Sequence, residues 1–534
     1  MKGGGPAALP GAASRRLNAV RSQICAAAAD DRDTAARRLA ADGRTPLTEH
    51  ARLFVDFEDV SAQRNITREF HSAEKHGTTP VLTQDMPWER VGGMTASVVY
   101  DEEEQLFKCW YMAGGHAPGG DPSLPPGAPG HNHALHVLCL GTSVDGITWE
   151  RPVVGLHSAL GSLENNIVIG GDHHHGMDHF ETVLKDPTDP DPARRYKAIG
   201  WSSDDWDGPL SGIYTATSPD GKVWTHTPEP VWRHNPRPGT DDLGPVGDAQ
   251  AMMVDNAGCR YIAFLRGSNS SRMLSTSEDF VRWTPPETFL TAQHEDEATY
   301  NNTGFDYGCQ YLGFLTHFDK DAHRQSQSLR LLSSRDASQA WQRPNMQGPP
   351  RIAPGGVDSW DRFQIMLTGT APIRVGDRLY IYYRGTPRRH NKAVKEFNAD
   401  IDADQDKYPA EGPDMGLYGM AIGLATIRLD GWASASASYD GGWLTTIPFS
   451  AGSSKSLRLN AKCDFGRIAV ELLHADSEMS LPGYFLSDCD VVQEDGVDLA
   501  VRWGERVALP DRAPFRIRFH LSNARLFSYR AVGL

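Results

Sequence analysis

The chain has 534 residues, more than one ordinary core absorbs, so two or three domains are expected. Its 39% hydrophobic and 23% charged residues are those of a globular protein. A net charge of −15 is repelled by nucleic acid and by anionic lipid, which excludes both as main partners.

Seven cysteines, widely spaced and without a CxxC pair, suggest buried thiols rather than a disulfide framework or zinc ribbon. Residues 1–14 are rich in Gly, Pro and Ala and lack an apolar signal core. With no apolar run of about 18 residues anywhere, a cytoplasmic protein that leaves membranes alone is expected. The sequence does not set the oligomeric state.

In chain order, residues 11–43 are Ala- and Arg-rich with helical spacing and predict a short helical N-terminal extension. RLFVDFEDV (52–60) predicts an early strand that joins either the following domain or the last one. Two interleaved repeats follow. The first reads Ser143-Val-Asp-Gly-Ile-Thr-Trp149 and returns at Ser218–Trp224, Ser277–Trp283 and Ser334–Trp341. Asp and Gly suit a tight turn, and a Trp after it packs on a neighbouring sheet. Asp145, Asp220, Asp279 and Asp336 stand 75, 59 and 57 residues apart, the length of a four-stranded propeller blade.

The second repeat is an apolar strand, an acidic turn and an aromatic strand. It occurs five times, anchored on Trp110, Tyr196, Tyr261, Tyr311 and Tyr380. The expected fold is therefore all-β: a five-bladed β-propeller over residues 51–432, after an extension over 1–50. Strand-like runs from 433 to 534 carry neither repeat and predict a C-terminal β-sandwich.

In such a ring the first strand of each blade lines the axis, so its starting residues converge. Counting back from the turn aspartates Asp101, Asp186, Asp255 and Asp306 reaches Glu89 to Met94, Asp178, Asp248 and the Glu297–Tyr300 stretch; Asp361 stands near the same place in the fifth blade. Recurrent carboxylates at one point suit glycoside cleavage, which needs one acid and one base or nucleophile.

The stretches LFVDFEDV, REFHSAEKHGTTPVLTQDMPWE, VVYDEEEQLFKCWY, DPDPARRYK and IGLATIRLDGW resemble the five-bladed propeller glycosidases, in the invertase/levanase, arabinanase/xylosidase and mannoside-phosphorylase groups. Bacterial invertase-like glycosyl hydrolases are the nearest likeness. The resemblance implies a base or nucleophile in blade 1 (Glu89 or Asp85), an Asp in blade 2 (Asp178, or Asp186 within an Arg-Asp-Pro-like Lys-Asp-Pro) and an acid in blade 3 (Asp248). The invertase Asn-Asp-Pro-Asn and Glu-Cys motifs are absent. Trp88, Arg90, His175, His179, Gln250, Glu297, Asn302 and Asp361 are the candidates for positioning the sugar, and Arg384 and His390 follow the fifth hairpin.

Consecutive His173, His174 and His175 on a loop point apart, so no metal site is read there. No nucleotide-binding pattern stands in a strand–helix context, and no cofactor is implied. The expected partner is a carbohydrate. A phosphorylase or transglycosidase on the same fold, or a glycan-binding propeller without catalysis, are the alternatives.

Overall fold

The computed structural model describes residues 45–89, 95–116, 134–170, 179–202, 208, 210–321, 325–387, 389–390, 420–452, 454–511 and 513–534. Among them the chain is nearly all β, interrupted by three-residue 3-10 turns, and has no α-helix. No helix among the described residues is long and apolar enough to cross a membrane. The helix expected within residues 11–43 lies outside the described residues.

Antiparallel sheets follow one another along the chain. The first holds strands Ala96–Asp101, Leu106–His116, Ala134–Ser143 and Ile167–Ile169. The second runs from His179–Lys185 through Tyr196–Ser202 and Gly212–Ser218, and the third from Ala251–Asp255 through Arg260–Arg266 and Arg272–Ser277 to Glu287–Leu290. An eight-stranded sheet then divides into two antiparallel halves. One contains Glu297–Tyr307, Gln310–Asp319 and Ser326–Ser334; the other contains Gln364–Leu367, Arg378–Thr386 and Ala421–Arg428. A single parallel pair, Gln327 with Gln364, joins them.

The first strands of these units lie side by side and close on themselves. Val183 N donates to Ser97 Oγ at 2.8 Å, and Met252 N to Thr182 Oγ1 at 3.3 Å. On the closing side, Val98 N donates to Thr370 Oγ1 at 3.1 Å and Gly369 N to Ala96 O at 2.9 Å. The outermost strand of the last unit comes from the other end of the chain, since Glu74–Lys75 pairs with Ala425 and Thr426. This is a β-propeller arrangement, closed by its own N-terminal strand.

Both repeats have a physical role in the ring. In the Ser-x-Asp turns, Ser143 Oγ accepts from Gly146 N while Asp145 Oδ1 accepts from Ile147 N and Thr148 N. Ser218 with Asp220, and Ser277 with Asp279, repeat that pattern bond for bond. Gly146 and Gly221 sit at φ +73° and +75°, where glycine alone carries no Cβ penalty. Their carbonyls accept Tyr382 Oη at 2.7 Å and Trp110 Nε1 at 2.7 Å, each from the preceding unit around the ring.

The acidic turns bond in the same way. Asp101 accepts Tyr196 Oη at 2.6 Å, Asp186 accepts Tyr261 Oη, and Asp255 accepts Tyr311 Oη at 2.8 Å. Each tyrosine belongs to the next unit, so each bond ties two neighbours. Cations complete the joints: Lys108 and Lys185 on Asp101, Lys197 on Asp186, Arg260 on Asp255.

Behind the ring stand two six-stranded sheets that share one apolar cluster, including Phe54, Leu444, Leu459, Val470, Phe519 and Tyr529. Strand Phe515–Ser522 alternates buried and half-buried residues along its whole length, as a strand with one face on a core must. The strand expected over 52–60 forms instead as two short ones, Arg52–Leu53 and Val60–Arg64, separated by a turn, and both find their partners here. Arg52–Leu53 pairs with Tyr529 and Ser528, Val60–Arg64 with Gly442–Thr446, and Thr67–Phe70 with Ala433–Ala437. Asp430 and Trp432 form the junction with the ring. Asp430 accepts Tyr307 Oη at 2.8 Å and Ser528 Oγ at 2.6 Å, and the wholly buried Trp432 packs against Phe305, Tyr307 and Phe314.

Although burial opposes its charge, hydrogen bonds from Lys185, Tyr196 and Lys108 hold Asp101 well below the usual carboxylate pKa. Such a group stabilises the fold at pH values above the unfolded pKa of about 4, and loses that contribution as the medium becomes more acid. Asp101→Asn is therefore expected to cost about 3 kcal/mol at pH 7 in urea unfolding. The gap from the parent should narrow below about pH 4, where the parent's own carboxyl begins to lose its advantage. A gap that is constant from neutral to acid would contradict this account.

Candidate functional site

The first strands begin at one end of the ring, and the candidate carboxylates stand there or just upstream. Burial and hydrogen bonding separate them sharply. Glu89 is wholly buried. Its Oε1 accepts from Tyr111 Oη at 2.5 Å and Arg151 Nε at 3.0 Å, and its Oε2 from the backbone of Asp85 and Met86 at 3.1 and 3.2 Å. Burial opposes the Arg151 charge, yet Tyr111 and Glu89 hold its pKa above the ordinary value. Glu89, expected as the blade-1 base or nucleophile, has donors on both oxygens and ties the 85–89 turn. Asp85, the alternative, is half exposed and pairs with Arg151 at 3.3 Å. It lines a rim groove of about 390 Å³ with His76, Trp149 and Arg151.

Glu297 and Asp361, expected to position a sugar, are also buried and paired. Arg343 holds Glu297 at 2.6 Å, with Gln293 N on its other oxygen. Lys75 and Tyr383 hold Asp361 at 2.5 and 2.9 Å, with Ser359 on its other oxygen. Trp88 is half-buried, and its Nε1 donates to Asn166 Oδ1 at 2.9 Å. Gln250 is buried. Asn302 is buried too, its Oδ1 accepting from Arg272 Nε at 2.7 Å. Arg90, His175 and Asp178 lie outside the described residues, as do His173 and His174; His179 opens the first strand of the second unit. Asp186, the rival of Asp178, is one of the turn aspartates that tie neighbouring units.

Asp248 differs from these carboxylates. It precedes strand Ala251–Asp255, its side chain is 31% exposed, and Oδ1 accepts from Arg266 at 2.8 Å. Oδ2 makes no hydrogen bond to any described residue. Arg266, the last residue of its strand, lies over the Tyr300 ring at 5.0 Å. Tyr300 is the unmatched residue of a register shift between Thr299 and Asn301. Such a bulge turns a side chain out of the sheet's alternation. The His390 ring stacks on Phe318 at 4.7 Å and meets Tyr300 edge-on at 4.9 Å. Burial lowers the His390 pKa, and the nearby Arg384 and Arg266 charges lower it further, against the pull of Asp248. At neutral pH this imidazole is neutral.

The mouth of the ring therefore presents a half-committed carboxylate, a guanidinium, a phenol and a neutral imidazole. Arg266 was not among the site residues expected from sequence, and Tyr300 ended the blade-4 stretch that counting reached without being singled out. The available signal was that the second strand of a unit ends where its first begins, so the last residue of RYIAFLR returns to the mouth.

No protein-family model matches the chain, and no curated protein matches it in sequence. Solved structures overlap it in part. One, of the GH130 family of mannoside phosphorylases, which contains glycoside hydrolases that target β-1,2 mannosidic linkages in Candida mannan, is 14% identical. It covers 67% of this chain and 94% of its own, with a TM-score of 0.42. The catalytic domain of a Coprinopsis cinerea GH62 α-L-arabinofuranosidase is 14% identical, over 68% and 99%, with a TM-score of 0.41. An N-acetylgalactosamine deacetylase from F. plautii is 15% identical, over 68% and 96%, with a TM-score of 0.40. Overlaps this partial assign no side chain a role.

Glu89→Gln distinguishes an anchor from a reacting base. Removing one partner of a buried ion pair is expected to lower unfolding stability by about 3 kcal/mol. A variant as stable as the parent but devoid of turnover would return Glu89 to the chemistry.

Proposed function

We propose that the chain is a glycoside hydrolase with a five-bladed β-propeller and a β-sandwich behind it. Three separate sheets and two halves of a fourth supply the blades. Residues 45–70 join 433–534 in the sandwich, which leaves about 71–432 to the propeller.

The observation that carries this reading is the uncommitted oxygen of Asp248, exposed beside Tyr300 and His390 at the mouth. Its partner in the chemistry is Asp178. The bond from Met252 N to Thr182 Oγ1 sets Thr182 level with Met252 on adjacent strands. Asp178 precedes Thr182 by as many residues as Asp248 precedes Met252. Glycosidic cleavage requires an acid and a base or nucleophile, and these are the roles proposed for Asp178 and Asp248.

Arg266 pairs with Asp248 at 2.8 Å and holds one of its oxygens in place at the mouth. Tyr300 offers an aromatic edge and a hydroxyl, and the neutral His390 can accept or donate a sugar hydrogen bond. Glu89 and Asp361 hold the segments around this mouth.

Asp178→Asn and Asp248→Asn are each expected to fold with parental stability and to lose ~10²–10⁴-fold in turnover. The measurement is release of aryl alcohol from a panel of aryl furanosides and pyranosides. Parental turnover in both variants would refute the assignment.

A second reading, phosphorolysis, is favoured by the guanidinium of Arg266 at the mouth, because a guanidinium suits phosphate oxygens. Turnover that depends on added inorganic phosphate would select it; phosphate-independent turnover selects hydrolysis.

A further inference from the structure

Two turns that carry the chain from one C-terminal sheet to the other hold large aromatic rings in water. Tyr439 is 80% exposed and Phe465 is 98% exposed. Tyr439 stands between strands Ala433–Ala437 and Gly442–Thr446, and Phe465 between Lys455–Lys462 and Arg467–His474. Though distant in sequence, the turns are fastened together. Asn523 donates from its backbone N to Ser438 O and from Nδ2 to Asp464 O, each at 2.9 Å, and Ser522 Oγ donates to Tyr439 O at 3.0 Å.

Phe465 is also held at φ +56°. In this left-handed region a Cβ crowds the following carbonyl oxygen, and a bulky side chain there is uncommon. Glycine or asparagine would occupy the position at lower cost. A ring that packs on nothing recovers none of that cost by burial. Neither folding nor solubility explains a strained, fully exposed phenyl, so another selective use does.

Beside these turns runs a groove of about 440 Å³ lined by Glu69, Ser436, Lys462, Asp464, Asn523 and Arg525. Its charges balance in pairs: Arg525 with Glu69 at 2.7 Å and Lys462 with Asp464 at 2.9 Å. A balanced wall of carboxylates, cations, a hydroxyl and a carboxamide offers donors and acceptors in alternation, with no net pull on an ion. That chemistry suits a neutral polyhydroxylated chain. The apolar C–H faces of a pyranose lie on aromatic rings, and its hydroxyls reach polar groups at the edge. Polar groups of balanced charge line the groove beside the rings, so a glycan can stack on the rings and hydrogen-bond along the wall.

We propose that this face of the C-terminal sheets is an ancillary carbohydrate-binding surface, with Phe465 and Tyr439 as stacking platforms for a neutral glycan chain. It would hold polymeric substrate near the protein without taking part in chemistry at the mouth of the ring.

The test is affinity electrophoresis of the full chain through native gels cast with mannan, arabinan, levan or galactan. At least one polymer is expected to retard the parent. The double variant Phe465→Ala/Tyr439→Ala should bind that polymer at least tenfold more weakly, with unchanged melting temperature and unchanged turnover of a small aryl glycoside. Asp248→Asn should remain retarded, which separates this surface from the catalytic reading. Equal retardation of the double variant, or no retardation of the parent in any gel, overturns the proposal. So does a double variant of lower mass than the parent by light scattering, because the rings would then join two copies of the chain.

Discussion

A carboxylate can be taken out of water only where donors meet its oxygens, and this protein buries carboxylates at three successive joints of its ring. Asp101, Asp186 and Asp255 each sit at a turn, almost inaccessible, and each is met by a phenol of the next unit and a cation. Apolar faces between sheets would let neighbours slide, whereas these bonds have direction and length. They fix the height of each unit against the next, and therefore which residues share the level of the mouth.

The same constraint sorts the candidate acids. Glu89, Glu297 and Asp361 are buried, and the fold meets both oxygens of each with donors. Asp248 stands partly in water, where one oxygen can wait. Its neighbours come from three units: Arg266 closes a strand of its own, Tyr300 is pushed out by a bulge in the next, and His390 follows the last. Irregularity at the strand ends supplies groups that a regular sheet would have turned sideways.

The two halves of the molecule are interwoven. Residues 45–70 lay strands into both C-terminal sheets before the chain adds the outermost strand at Glu74–Lys75 and enters the ring. Asp430 and Trp432, the last echo of the Ser-x-Asp turn, lock the junction from the other side. Ring closure and attachment of the second core therefore depend on one another, since both use the same short stretch of chain.

Repetition made the ring legible without coordinates. Turn chemistry is local, so Ser-x-Asp turns and acidic hairpins at blade spacing announce their structure to any reader of the chain. Candidate acids such as Asp248 could be found by counting along strands, because strand rise is constant. Burial could not be counted. Whether Glu89 meets water or Arg151 depends on a residue 62 positions away, and whether Tyr300 faces the mouth depends on a bulge that composition does not mark. The partners of residues 52–64 were equally undetermined, because an alternating strand states which face is apolar and not which sheet receives it. Local chemistry wrote the elements; long-range desolvation, settled only on folding, decided which of their side chains were left able to react.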